Sequence, residues 1–141
     1  MMNKHISKEV PSMDEWLKTA KKDPGAAKVG MFLAHNGVVR ETPKAKVRSG
    51  IDDGTIVEGM EFSFDQEKVN RAVEEAYNLE GIYYIRIWLN EGLLKVGDDI
   101  MYVLVGGDIR PHVIDGLQFL VEKVKTECVV EVEQKAPEER A

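Results

Sequence analysis

The run Ile100-Met101-Tyr102-Val103-Leu104-Val105 restricts the fold more than any other stretch of the chain. It carries no charge, which is the pattern of a strand covered on both faces. The chain must therefore supply layers to both sides of it. Gly106-Gly107-Asp108 turns the chain, and Pro111 sits near the first turn of a helix, where its missing N–H costs nothing. At ~100° per residue, Val113, Ile114, Leu117, Leu120, Val121 and Val124 form one apolar stripe. This helix reads as running to about Lys125.

Local signals place the other elements. Ser12 followed by Glu15 is a capping-box pattern, opening a helix that ends before Asp23-Pro24-Gly25. Residues 29–33 read as a strand, Asn36-Gly37 as a turn or bulge, and Val38-Val39 as its continuation. Residues 41–54 show little periodicity and read as the most loop-like interior stretch. Residues 56–64 read as a strand. Asp65 caps a helix carrying Val69, Ala72, Val73, Ala76 and Tyr77, which ends by Gly81. Residues 85–89 alternate as a strand, Gly97-Asp98 turns, and residues 129–132 form a last short strand. The order α-β-β-α-β-β-α-β, with one core, predicts a single α+β domain over residues 12–132. Residues 1–11 and 133–141 read as flexible ends.

Composition narrows the function. A formal net charge of −6 disfavours wholesale nucleic-acid binding. Local charge still permits an anionic small molecule to bind. Cys128 is the only cysteine, so no intrachain disulfide forms, and the expected compartment is the cytoplasm. No signal peptide is legible, and no apolar run approaches the ~20 residues that span a bilayer. His5, His35 and His112 lack ligand spacing, so neither a metal nor a resident cofactor is expected. Trp88 and Tyr102 read as core or interface aromatics.

The candidate site rests on three cations. Arg40 closes Gly37-Val38-Val39-Arg40, Arg110 starts the last helix, and Lys125 ends it. The wheel puts Arg110 within the apolar stripe and Lys125 at its edge, both half-buried, with Lys123 on the solvent side. Fifteen steps of 1.5 Å separate Arg110 from Lys125 by ~22 Å. One helix cannot close both on a small ion, so a shared site needs a second copy of the chain. Lys44, Lys46 and Arg48 are further candidate contacts, or ordinary solvated loop charges. The Gly106-Gly107-Asp108 turn either cradles a phosphate or simply joins strand to helix; its spacing fits neither a nucleotide fingerprint nor a P-loop.

Three segments carry a family resemblance across residues 25–134. Gly25-Ala26-Ala27 with Gly37-Val38-Val39-Arg40, then Gly92-Leu93-Leu94-Lys95-Val96-Gly97-Asp98, then Arg110 through Lys125, follow one another in order. Together they resemble the large, catalytic subunit of molybdopterin synthase. The resemblance implies an α/β hammerhead-like fold with a mixed or antiparallel sheet and about three helices. It implies a homodimer, each copy binding a small ubiquitin-like sulfur carrier with a Gly-Gly C-terminus. The implied reaction moves sulfur from the carrier's thiocarboxylate to cyclic pyranopterin monophosphate in molybdenum cofactor biosynthesis. Lys125 would then be catalytic, and Arg40 and Arg110 would bind substrate.

The chain departs from the family pattern at three places. Ile109 stands where the family has histidine, Val132 where it has a second lysine, and Leu89-Asn90 where it has a His-Arg pair. These departures define the alternative, a catalytically silent binding or regulatory homologue on the same fold. A third reading is an unrelated α+β protein.

Overall fold

A computed structural model describes residues 8–138. The expected single α+β domain is present, but with four helices and two separate antiparallel sheets. The elements are α1 (Met13–Ala20), β1 (Met31–Val38), α2 (Lys44–Ser49), β2 (Thr55–Phe64), α3 (Gln66–Tyr77), β3 (Ile82–Leu89), β4 (Gly92–Lys95), β5 (Asp99–Gly107), α4 (Arg110–Lys123) and β6 (Val129–Pro137). A short 3-10 helix follows α1 at Pro24–Lys28, and a wider π turn at Val124–Cys128 links α4 to β6.

The apolar run becomes β5, the centre of the first sheet, in the order β1-β5-β3. Its alternate residues feed two cores. Met101, Val103 and Val105 join the main cluster with Val113, Leu120 and Val124 of the α4 segment and Val69, Ala72 and Ala76 of α3. Leu104 faces the other way, under Trp16 and Ala20 of α1. Tyr102 meets Trp16 and Trp88 edge-on, at centroid distances of 6.3 and 5.8 Å. Trp88 and Tyr102 are thus packing aromatics, each partly buried against this second core.

The second sheet, in the order β4-β2-β6, buries one face only. Val57, Met60, Phe62 and Leu94 point into the main core, while Glu58, Glu61 and Ser63 face outward.

The cap signals act as read. Ser12 Oγ accepts from the Glu15 N–H, and Asp65 Oδ1 accepts from the N–H groups of Glu67 and Lys68. The Asn36-Gly37 signal is a bulge, with β1 running through it as one strand whose register against β5 shifts between Gly37 and Val38. Gly106 and Gly107 end β5 by close packing. A Cβ on Gly107 would lie 2.4 Å from the Gly81 carbonyl oxygen, itself held by a residue at φ +80° that favours glycine.

Four boundaries differ from the sequence reading. The stretch read as loop, residues 41–54, contains α2. The short strand β4 pairs Leu94 with Met60 and was not expected. The last strand runs to Pro137, not Val132, because residues 133–137 pair along β2 as far as Thr55. Lys8, in the segment expected to be flexible, donates to the Leu89 carbonyl at 2.6 Å. Residues 1–7, with His5, and residues 139–141 lie outside the described residues.

Candidate functional site

Strand alternation and one bulge bring the site together where the two sheets meet. His35 and Gly37 lie on β1, Val39 and Arg40 just beyond it, Lys44 and Arg48 on α2, and Met60 on β2. Ile100 comes from β5, Val121 from α4, Lys125 from the π turn, and Glu131 and Glu133 from β6. These side chains surround a cavity of about 350 Å³. A neighbouring cavity of about 420 Å³ shares His35, Arg48, Val121 and Lys125, and extends past Leu117 and Gln118.

The fold therefore brings Arg40 and Lys125 to one cavity within a single chain. Arg110 is not there. It starts α4 at the end opposite Lys125, and it is exposed rather than half-buried. The buried line on the α4 segment runs through Val113, Gly116, Leu120 and Val124. Gly116 lets Ile82 approach so closely that a Cβ there would meet Ile82 Cδ1 at 2.6 Å. That line leaves Ile114 at 38% exposure, outside the expected stripe. Lys123, expected to be solvated, is also different: its ammonium contacts Glu75 at 3.4 Å and Glu127 at 3.1 Å.

Two carboxylates that the sequence did not single out control the cavity's charge. Glu131 Oε1 accepts from Lys44 Nζ at 3.0 Å, and Glu131 Oε2 lies 3.5 Å from Lys125 Nζ. Glu133 accepts from the Lys44 backbone N–H at 2.9 Å. Arg40 donates through Nε to the Thr42 carbonyl at 3.1 Å. With four cations, two carboxylates and a neutral His35, the lining carries a net charge of +2. That charge is matched to a dianion, and guanidinium forks suit phosphate oxygens.

The strand carrying these carboxylates inverts the usual pattern. Val130 and Val132 are 60% and 50% exposed, while the Glu131 side chain is 5% exposed. The outer face of the second sheet thus presents Val130, Val132 and, beyond Glu61, Leu93. The Val132 position, where the resemblance puts a lysine, faces away from this chain's cavity. Ile109 is exposed beside Arg110, and buried Asn90 donates to the Asp99 carbonyl at 2.9 Å.

The two described histidines respond to pH in opposite senses. Burial first, and then the charge of Lys125, hold His35 below its ordinary value of 6.5. His112 is pushed up, first by its hydrogen bond to Asp108 at 2.7 Å, then by the nearby carboxylates of Asp108, Glu80 and Asp115. Between the lowered folded value of His35 and 6.5, the unfolded chain binds more protons, so stability falls as pH falls through that window. His112 contributes stability below 6.5 that is lost as pH rises through its raised value. Accordingly, His35→Gln should flatten the acid side of a Tm-versus-pH profile, and His112→Gln the neutral-to-alkaline side. Profiles unchanged by both substitutions would show that neither ring titrates as placed.

Burial raises the Cys128 thiol above its usual range, consistent with a packing role. Among the described residues no His, Cys, Asp and Glu cluster could hold a metal ion, and no helix is long and apolar enough to cross a membrane. The Gly106-Gly107-Asp108 turn serves α4, with Asp108 Oδ1 accepting from the Ile109 N–H.

The family model described as MoaE protein matches residues 6–127. Among solved structures, molybdopterin synthase from Staphylococcus aureus is 18% identical with a TM-score of 0.62, over 76% of this chain and 75% of that one. The MoaE protein of molybdopterin biosynthesis from Burkholderia ambifaria MC40-6 is 17% identical with a TM-score of 0.67, over 93% and 87%. A complex of subunits 1 and 2 of molybdopterin-converting factor from Helicobacter pylori 26695 contains a chain 16% identical with a TM-score of 0.59, over 87% and 78%. At these identities the likeness to the solved structures shows the fold. No curated protein matches the sequence.

Proposed function

The chain belongs to the MoaE protein family, and from that premise we propose that it acts in molybdopterin biosynthesis as the large subunit of a molybdopterin synthase. In this reading the cavity takes the phosphate-bearing pterin, cyclic pyranopterin monophosphate. A ubiquitin-like carrier delivers sulfur to it as a C-terminal thiocarboxylate. The observation that carries the proposal is the convergence of Arg40 and Lys125, from distant segments, on one cavity of net charge +2. Arg40 and Arg48 bind the phosphate, and Lys125 is the ammonium that transfers a proton or orients the electrophile.

Two features support the partners. The Helicobacter pylori structure pairs subunits 1 and 2 of its molybdopterin-converting factor, which favours a small carrier subunit here. Arg110 lies at the far end of α4, so it joins Lys125 only if a second copy supplies it. The outward apolar side chains of Leu93, Val130 and Val132 are surface that a homodimer would cover.

The catalytically silent reading has its own motive: Glu131 already occupies Lys44 and Lys125 as a counter-ion. One assay separates the two. Purified protein, a thiocarboxylated carrier and cyclic pyranopterin monophosphate should yield molybdopterin, identified by mass. No product, in conditions where a competent large subunit reacts, rejects sulfur transfer and leaves the silent binder.

A further inference from the structure

The chemistry proposed above uses cations, yet the most buried ion-paired side chain at the cavity is an anion. The Glu131 side chain is 5% exposed, against 31% for Lys125 and 42% for Lys44. A carboxylate out of water needs compensating charge and hydrogen bonds. Lys44 gives Oε1 a hydrogen bond of 3.0 Å. Oε2 is fully buried and has no hydrogen bond among the described residues. Its nearest recorded cation is Lys125 Nζ at 3.5 Å, longer than the ~2.8 Å of a charge-assisted bond. Among the described residues Lys125 is therefore held by charge and not by a fixed hydrogen bond, which lets its N–H donors turn toward the cavity.

The two ammonium groups come from separate elements, α2 and the π turn. Their flexible stems would let them separate into water if nothing joined them. Glu131 joins them, and Glu133 adds a second tie through the Lys44 backbone N–H.

We propose that Glu131 is the positioning and charge-setting residue of this site, fixing Lys44 and Lys125 at the cavity wall and tuning it to a phosphate monoester over a polyphosphate. A wall carrying four cations alone would favour the more highly charged anion. The resident carboxylate cancels part of that field and repels additional phosphoryl oxygens. The inference rests on the anion-binding reading of the cavity and is independent of sulfur transfer.

The test compares wild-type protein with Glu131→Gln, which keeps the side chain's size and removes its charge. Calorimetric titrations use inorganic phosphate and pyrophosphate. The substitution should tighten pyrophosphate binding about fivefold, the order expected for one unit charge within a few ångströms in a solvated site. Phosphate should tighten less. Acylation of Lys125, read by peptide mass spectrometry against exposed Lys22, should become several-fold faster once no carboxylate holds its flexible stem against β6.

Glu131→Asp keeps the charge but shortens the reach. It should preserve the anion preference while speeding Lys125 acylation, a split that a merely structural role would not produce. If Glu131→Gln does not fold, Glu131→Ala, which also removes the charge, takes its place. A folded charge-removing variant with an unchanged anion ratio, or unchanged Lys125 labelling in every folded variant, would overturn the proposal. Wild-type protein that binds neither anion would overturn the anion-site reading and the charge-setting role with it. The labelling result alone would then decide whether Glu131 positions Lys125.

Discussion

Lys125→Met is expected to lower molybdopterin formation by about two orders of magnitude or more, the usual range for loss of a proton-transferring group. Methionine keeps an unbranched stem beside the cavity and removes only the ammonium. The lining falls from a net +2 to +1, and Glu131 Oε2 loses its nearest recorded cation. Glu131 retains Lys44 on Oε1, so the stability cost should stay near 1–2 kcal/mol, the order of an under-satisfied polar group. A folded variant with a severe loss of turnover places Lys125 in the chemistry. A variant keeping half of the wild-type rate removes it. Arg40→Ala provides the contrast. It should mainly weaken substrate binding, because Arg40 is an exposed group held at Nε by the Thr42 carbonyl. A weaker apparent KM with near-normal kcat would separate the two roles.

The parts of the fold legible in the sequence are those specified locally. The charge-free run at 100–105 reads as a doubly covered strand, and β5 is central. Ser12, Asp65 and Gly81 act within a few residues of themselves, so their signals needed no tertiary context. What escaped was set at long range. Helix α2 has no buried residue, so it carries no apolar periodicity to detect. It is docked through Lys44 to Glu131 and Glu133, 87 and 89 residues away. The second half of strand β6 is hidden in the sequence because its charges read as a tail. A Val-Glu-Val-Glu alternation normally turns its valines inward, and here the reverse holds. A period of 2 puts Glu131 and Glu133 on one face. Only the pairing with β2 reveals that this face lines a cavity.

The site was legible to the same extent. Arg40 and Lys125 were named from the sequence and line one cavity. Arg48 and Lys44, candidate contacts in the sequence, both line it. His35 gives no signal in the sequence, because isolated histidine spacing says nothing about a neighbour 90 residues away. Arg110 falls on the wrong side of a wheel that counts large apolar residues alone. Such a wheel omits Gly116, the small residue that lets α4 approach β3.

That rotation of α4 has an energetic consequence, and Leu120→Ala measures it. Leu120 is 0% exposed within the main core. Truncating it removes apolar area and leaves a cavity, at a cost of about 2–5 kcal/mol. In a domain of this size Tm should fall by roughly 10 °C or more. The effect should reach the site, because the backbone N–H of Val124, the residue before Lys125, bonds the carbonyls of Leu120 and Val121. Loosening that turn moves Lys125 relative to β6, so Lys125 acylation should also rise. Ile114→Ala on the same helix is the control. A wheel centred on Leu117 makes the two positions comparable core residues, whereas the observed line leaves Ile114 at 38% exposure. Its cost should stay below about 1 kcal/mol, as for most partly exposed positions. Equal losses at the two positions would mean that α4 presents the Leu117-centred face to the sheet.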